Sequence, residues 1–210
     1  MSVIGAWNGQ GSKCHLLTDV LKRIFCFVAD YNVDLHLQYV PTLQNLADAP
    51  SRKLDISDAM LSEEAWLMLE EKFGPHSTDL MSLDSNVMKS VVNGQPLRHF
   101  TPWVMPDSAG VNVFSQDLRK ESNMYVYPPF VLIFPVLCLL EEQGVECTIV
   151  VPEMIPIPIW WPMLKKYSTA SMRIGGKGQK GVIRIPRKKG FVLDETGLRW
   201  PLIAFRISFV

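Results

Sequence analysis

The chain has no Cys-x-x-Cys pair, no run of twenty apolar residues and no net charge. Each absence excludes something. The four cysteines, Cys14, Cys26, Cys138 and Cys147, are scattered. They do not make a zinc ribbon, and they read mostly as small core residues in a reducing compartment. His15, His36, His76 and His99 show no metal-ligand spacing, so exposed or packed roles are expected of them. No serine or cysteine sits in a recognisable nucleophile elbow. No basic segment with an apolar core opens the sequence, so no signal peptide is expected. The longest apolar stretch, Tyr125 to Leu140, is shorter than the roughly 20 residues of a spanning helix. It also contains Pro128, Pro129 and Pro135. A buried strand, a turn and a core helix fit it, and an intracellular place, cytoplasmic or nuclear and without a membrane, is the expectation.

What is present is enough apolar material for a core. At 210 residues and 48% hydrophobic, the chain suits one large domain or two small ones. The zero net charge hides a split. From Lys165 to Val210 there are eleven Lys or Arg against Asp194 and Glu195, leaving 10 basic and 19 acidic residues before Lys165. Such a basic tail either binds DNA or RNA or folds back on the acidic body. Its cations include Lys177, Lys180, Arg184, Arg187, Lys188 and Lys189, interleaved with Gly175, Gly176, Gly178, Gly181 and Gly190. That stretch reads as a loop or loose hairpin.

Along the chain, Leu16, Leu17, Val20, Leu21, Ile24, Phe25 and Val28 fall at helical spacing over residues 13–29. Residues 34–40 alternate Leu35, Leu37, Tyr39 with His36, Gln38 and predict a half-buried strand ended by Pro41. A short helix over 43–49 is expected to stop at Pro50. Ser62 is the expected N-cap of a helix with Glu63 and Glu64 in its first turn, a Trp66, Leu69, Phe73 stripe, and Gly74-Pro75 as its end. Short strands are expected at 80–83, 111–114 and 124–127. A helix over 131–143 capped by Gly144 and a strand over 147–151 complete a parallel β-α-β unit. Trp160 and Trp161 serve either as core anchors or as a base-stacking platform. No internal repeat is evident.

Two motif series carry family resemblances. Tyr39-Val40-Pro41, Asn45, Ala47-Asp48 and Ser51-Arg52, preceded by Trp7-Asn8-Gly9-Gln10-Gly11-Ser12, resemble the end of a retrotransposon ribonuclease H domain of the DIRS type, which carries a tyrosine recombinase. The resemblance implies two-metal hydrolysis of RNA, with Mg held by several carboxylates, of which Asp48 is the last. The earlier carboxylates are not in this sequence: no acid precedes Asp19. Asp48 is therefore expected to be a vestigial carboxylate that binds metal only if those upstream acids were supplied, in a chain cut from a larger polyprotein.

The second series is Asp79 to Asn86, Gly110 to Gln116, and Tyr125-Val126-Tyr127-Pro128-Pro129-Phe130. It resembles the region after ribonuclease H in the same elements, which is similar to phage-type DNA adenine N6-methyltransferases. In that family a strand ends in Asp, Asn or Ser, then Pro-Pro and an aromatic. The first side chain and a backbone carbonyl accept hydrogens from the exocyclic amine, the prolines fix the backbone, and the aromatic stacks on the base. The resemblance implies S-adenosylmethionine as methyl donor. Here Tyr127 stands at the acceptor position. Asp84 and Gly110 are the candidates for meeting the cofactor. The alternative role of Tyr127-Pro128-Pro129-Phe130 is a rigid turn.

The resulting expectation is an α/β chain: a truncated ribonuclease H-like ending at 1–52, a helical connector at 53–78, a small Rossmann-like methyltransferase-type sheet at 79–167, and a basic Gly-rich tail at 168–210. The function expected is that of a retrotransposon polyprotein remnant without activity and without a bound cofactor. The alternatives are an S-adenosylmethionine-dependent DNA adenine N6-methyltransferase and a non-enzymatic nucleic-acid-binding module.

Overall fold

The computed structural model describes residues 3–9, 12–38, 58–187 and 190–209. The chain divides into two compact units, 1–53 and 54–210. In the first, α1 (Val3–Asn8) and α2 (His15–Asp30) carry Trp7 and Phe25, whose rings stack 4.4 Å apart. The helix expected over 13–29 is α2. Leu21 is buried on it, while Leu16 and Val20 of the expected stripe are exposed. The strand expected from residue 34 does not form over 34–38. A strand needs a neighbour for its N–H and C=O groups, and none of the described strands pairs with this segment. Tyr39, Val40, Pro41, Asn45, Ala47, Asp48, Ser51 and Arg52 lie outside the described residues, as does the short helix expected over 43–49.

The second unit is α/β. Its elements are β1 (Met60–Leu61), α3 (Glu63–Phe73), β2 (Thr78–Asp79), β3 (Arg98–Thr101), β4 (Gly110–Val111), β5 (Met124–Val126), α4 (Ile133–Gln143), β6 (Glu146–Pro152), α5 (Trp161–Tyr167), β7 (Ser168–Gly175), β8 (Ile183–Arg187), β9 (Gly190–Leu193) and β10 (Leu202–Ser208). Seven strands form one sheet in the order β4-β3-β2-β5-β6-β10-β7. The first five are parallel, with Thr78 opposite Arg98 on one side and Met124 on the other. β10 runs antiparallel to both β6 and β7. A small second sheet pairs β1, β8 and β9.

Side-chain alternation along the strands builds a core on each face. Met124, Val126, Ile149 and Phe205 pack with Leu137, Leu140 and Leu164 from α4 and α5. Tyr125, Val150 and Ala204 point the other way, onto Trp66 and Leu69 of α3. Leu69 is fully buried, which is worth about 1.5–3 kcal/mol. The segment expected as a connector is thus the helical layer on one face. Residues 168–208, expected as a tail, supply two strands of the main sheet and a hairpin. Tail cations also meet body acids: Arg206 pairs with Glu146 at 3.3 Å and Arg173 with Glu153 at 3.0 Å.

Local signals explain the helix ends. Ser62 Oγ accepts from Ala65 N at 3.3 Å, capping α3. Gly144 closes α4 in the left-handed region at φ +62°, where a side chain is strained. Strand limits shift from expectation. Thr78–Asp79 pairs, whereas Leu80–Leu83 lies past the strand end. Val113–Ser115 is a 3-10 turn because Asn112 takes φ +58° and accepts from Phe114 N. Phe130–Leu132 is likewise a 3-10 turn leading into α4. Among the described residues no helix is long and apolar enough to cross a membrane.

Candidate functional site

In chain order, the parallel strands run outward from β2 through β3 to β4, and then resume on the opposite side with β5 and β6. The order therefore reverses between β2 and β5. In doubly wound sheets, ligands bind in the crevice outside the carboxyl ends of the strands at that reversal. Two segments leave the sheet there: Leu80-Met81-Ser82-Leu83 after β2 and Tyr127-Pro128-Pro129-Phe130 after β5. A cavity of about 230 Å³ lies against them, walled mainly by Leu80, Leu83, Phe100, Val113, Phe114 and Leu132, with Tyr127 and Pro129 at one side.

The loop after β2 is held by its own polar groups. Asn86 Oδ1 accepts from Leu83 N at 2.6 Å, and Asn86 Nδ2 donates to Asp58 O at 2.7 Å. Asp79, buried at the end of β2, accepts from Met81 N at 3.3 Å and from Met88 N at 3.4 Å. Burial pushes its carboxyl up to about 6, against the pull of those amides and of nearby His99. Ser82 is buried too. Its Oγ has no hydrogen-bond partner of full geometry, although it lies close enough to Asp79 to favour the ionised form.

The structure brings only part of the expected site together. Tyr127 and Pro129 line the crevice. Burial pushes the Tyr127 phenol far up, so it stays a neutral hydroxyl. Pro128 is buried. Phe130 is 43% exposed and meets Trp200 edge-to-face at 6.0 Å. Asp84 is engaged elsewhere: its Oδ1 accepts from His99 Nε2 at 2.9 Å and its Oδ2 from Asp107 N at 3.2 Å. Gly110 sits on edge strand β4, where a Cβ would come within 2.9 Å of Gln116 Oε1 and 3.2 Å of the Phe100 ring. Close packing accounts for that glycine. Neither Asp84 nor Gly110 is in the crevice wall.

These residues can be tested against S-adenosylmethionine. The apolar walls suit an adenine ring. The rest of the molecule carries ribose hydroxyls, a sulfonium, an ammonium and a carboxylate, which need charged partners or closely approaching backbone. No glycine lies in residues 80–93, just after β2, to admit such an approach. Asp58 is the single charged residue in the described wall. The fit extends to the ring, while the carboxylate of the donor meets no cation in the described wall.

Of the expected nucleic-acid residues, Lys177, Lys180 and Arg187 are exposed and have no carboxylate partner among the described residues. Arg184 is half-buried and donates to Phe191 O at 2.9 Å. Lys188 and Lys189 lie outside the described residues. The loop bearing Lys177 and Lys180 is pinned to the chain before β10. Gly178 N donates to Leu198 O at 2.8 Å, and Leu198 N donates to Gln179 O at 3.0 Å. Gly197, at φ +87°, lies so close to Gly178 that a Cβ would come within 2.4 Å of its carbonyl oxygen. Arg199 and Trp200 follow, with the guanidinium 4.3 Å from the ring centroid. Sequence reasoning missed this pair; an Arg-Trp step between Gly197 and Pro201 in a basic segment was the signal. Trp160 is buried and Trp161 packs on Phe205, so both anchor the core.

A buried network was also missed. His76 Nδ1 is paired with Glu70 Oε1, and His76 Nε2 meets Thr148 Oγ1 at 2.8 Å. Arg206 Nη1 reaches Thr148 Oγ1 at 3.4 Å and Asn123 Oδ1 at 2.6 Å. Hydroxyl, imidazole and carboxylate in series resemble a nucleophile relay, but Thr148 is wholly buried. No substrate carbon can reach it, and the network ties α3 to β6 and β10. His15 and His36 are exposed. Among the described residues no group of three or more His, Cys, Asp or Glu could hold a metal ion. No family model matches the chain, and no curated protein matches it either.

Proposed function

We propose that this chain derives from a DIRS-type retroelement polyprotein, and that its methyltransferase-type domain keeps the fold while no longer transferring a methyl group. The observation that carries this reading is the order reversal between β2 and β5, with Tyr127-Pro128-Pro129-Phe130 at the crevice that the reversal opens. A methyltransferase of this kind needs a short acceptor at the first motif position, to draw the amine lone pair toward the donor. Tyr127 offers a neutral phenol on a longer arm instead. The donor's carboxylate has no cation in the described wall, where Asp58 is the single charged residue. Titration calorimetry with S-adenosylmethionine and with its demethylated product tests the reading. No heat is expected from either. Saturable binding of both would contradict it and favour a working methyltransferase.

A second reading, a nucleic-acid-binding surface, is favoured by the cluster of Lys177, Lys180, Arg199, Trp200 and Phe130. It combines cations with exposed aromatic edges, as single-strand binders do. Mg is proposed for neither reading. Magnesium-dependent cleavage of an RNA–DNA hybrid by the chain, lost in Asp48→Asn, would contradict the vestigial role of Asp48.

A further inference from the structure

Leu202 opens β10 opposite Pro152 at the end of β6 and Gly175 at the end of β7. Three segments therefore leave the sheet at one edge: 153–160 after β6, 176–182 after β7, and 199–201 before β10. Hydrogen bonds hold them side by side. Glu153 N donates to Pro201 O at 2.8 Å, and Gly178 N donates to Leu198 O at 2.8 Å. The first segment carries Ile155, Ile157 and Ile159, which are 88%, 71% and 82% exposed. Single exposed aliphatics are ordinary, but three within one short segment form a patch that marks an interaction surface. At these exposures they project outward instead of lining a groove. Pro156 and Pro158 stand between them and lack N–H groups, so the segment is a poor edge for a partner's strand. It is fixed at both ends: Glu153 pairs with Arg173 at 3.0 Å, and Trp160 is buried. Beside it, half-buried Trp200 meets Phe130, whose chain neighbour Val131 is 84% exposed. Lys177, Lys180 and Arg199 are exposed, with no carboxylate partner among the described residues. The acids of this region are Glu195, which is exposed, and Asp194, which is buried and accepts from Thr196 Oγ1 at 2.6 Å. The exposed charge is thus mostly positive.

We propose that this edge rests on an anionic lipid surface: Ile155, Ile157, Ile159 and Val131 enter the headgroup boundary while Lys177, Lys180 and Arg199 meet the lipid phosphates and carboxylates. Protruding aliphatics need an apolar medium but no matching groove, and a bilayer supplies one. Unpaired cations gain from an anionic leaflet. Tryptophan favours the same depth, where its ring is in the boundary and its N–H reaches water. A nucleic acid accounts for the cations and Trp200 but gives three isoleucines nothing apolar to bury against. The short apolar runs of the sequence weigh against crossing a bilayer and not against resting on one. The inference does not rest on the methyltransferase-type crevice.

Co-sedimentation of the full chain with phosphatidylcholine vesicles, with and without phosphatidylserine, tests it, beside oligo-dT binding in solution. Saturable binding to the phosphatidylserine vesicles is expected, at least about tenfold tighter than to phosphatidylcholine alone, since each cation near an anionic surface is worth about fivefold. Ile155→Ser/Ile157→Ser/Ile159→Ser is expected to weaken it at least about tenfold. Circular dichroism and the thermal midpoint are expected to stay unchanged in that variant, because all three positions are exposed. Lys177→Ala/Lys180→Ala is expected to weaken binding to phosphatidylserine vesicles about twentyfold and to leave binding to phosphatidylcholine as it is. Absence of vesicle binding overturns the inference while leaving the loss of methyl transfer standing. Vesicle binding unchanged in the isoleucine variant places the contact elsewhere and also overturns it. Binding of oligo-dT without binding of vesicles, weakened in the lysine variant, overturns it as well and assigns the edge to single-stranded nucleic acid.

Discussion

Asp79 shows how one residue ties the sheet to the crevice. It ends β2, takes two amide hydrogens from the following loop, and does so while buried. Its carboxyl sits at about 6 against an ordinary 3.8. Below pH 4 the folded and unfolded chains both hold the proton. As pH rises from 4 to 6 the unfolded chain releases it first, so stability falls and then levels off above about 6. The fall amounts to about 3 kcal/mol. Urea unfolding at pH 4, 5, 6 and 7 is expected to show that decline, and Asp79→Asn is expected to remove it. An unchanged decline in the variant would mean another group causes it. Ser82→Ala replaces a buried hydroxyl that lacks a hydrogen-bond partner of full geometry. It is expected to leave stability unchanged or raise it by about 1 kcal/mol. At this scale the sequence made Tyr127-Pro128-Pro129-Phe130 visible, because prolines and aromatics in series are rare and local. It could not assign Asp84, whose carboxylate is taken by His99 and the Asp107 amide. Those partners lie 15 and 23 residues away, and no local pattern announces them.

Elements differ in how much of their form is local. α3 follows from its cap and stripe, and α4 from its apolar face and the glycine after it, so both were legible. Ser62→Ala removes a buried cap and is expected to cost about 1 kcal/mol. The strands β2 and β4 are two residues each. Too short to show alternation, they exist only because β3 and β5 pair with them, which is why the expected strands were displaced by a few residues. Pairing also decides the absence of a strand at 34–38. The Glu70–His76–Thr148 network belongs to this scale, because it joins α3 to β6. His76→Leu leaves Glu70 buried without its partner and is expected to cost about 3–5 kcal/mol. The double variant Glu70→Leu/His76→Leu is expected to cost less than the two single changes together, measured as a double-mutant cycle. Strict additivity would show that the two side chains do not act as a pair.

For the whole molecule, the sequence showed an acidic body and a basic end, and the structure weaves them into one sheet. The β10 strand lies between β6 and β7, so the segment expected as a tail cannot be removed without opening the sheet edge. Sequence could not show this because the register of β10 depends on neighbours about 30 to 60 residues upstream. Some of the basic charge is spent inside the fold, at Arg173 and Arg206. Lys177 and Lys180 stay exposed beside Arg199 and Trp200. If they meet phosphates, single-stranded DNA affinity falls steeply with salt, and Lys177→Ala/Lys180→Ala lowers the slope of log affinity against log salt by about 1.4. Salt-independent binding would remove the nucleic-acid reading. The central proposal is a methyltransferase-type domain that keeps its fold and transfers no methyl group. Transfer of tritium from S-adenosyl-[methyl-³H]methionine to adenine-containing DNA tests it most directly. No incorporation above a protein-free control is expected, and none in Tyr127→Asn, because restoring the acceptor does not supply a cation for the donor's carboxylate. Incorporation by the unaltered chain that disappears in Tyr127→Phe would contradict it.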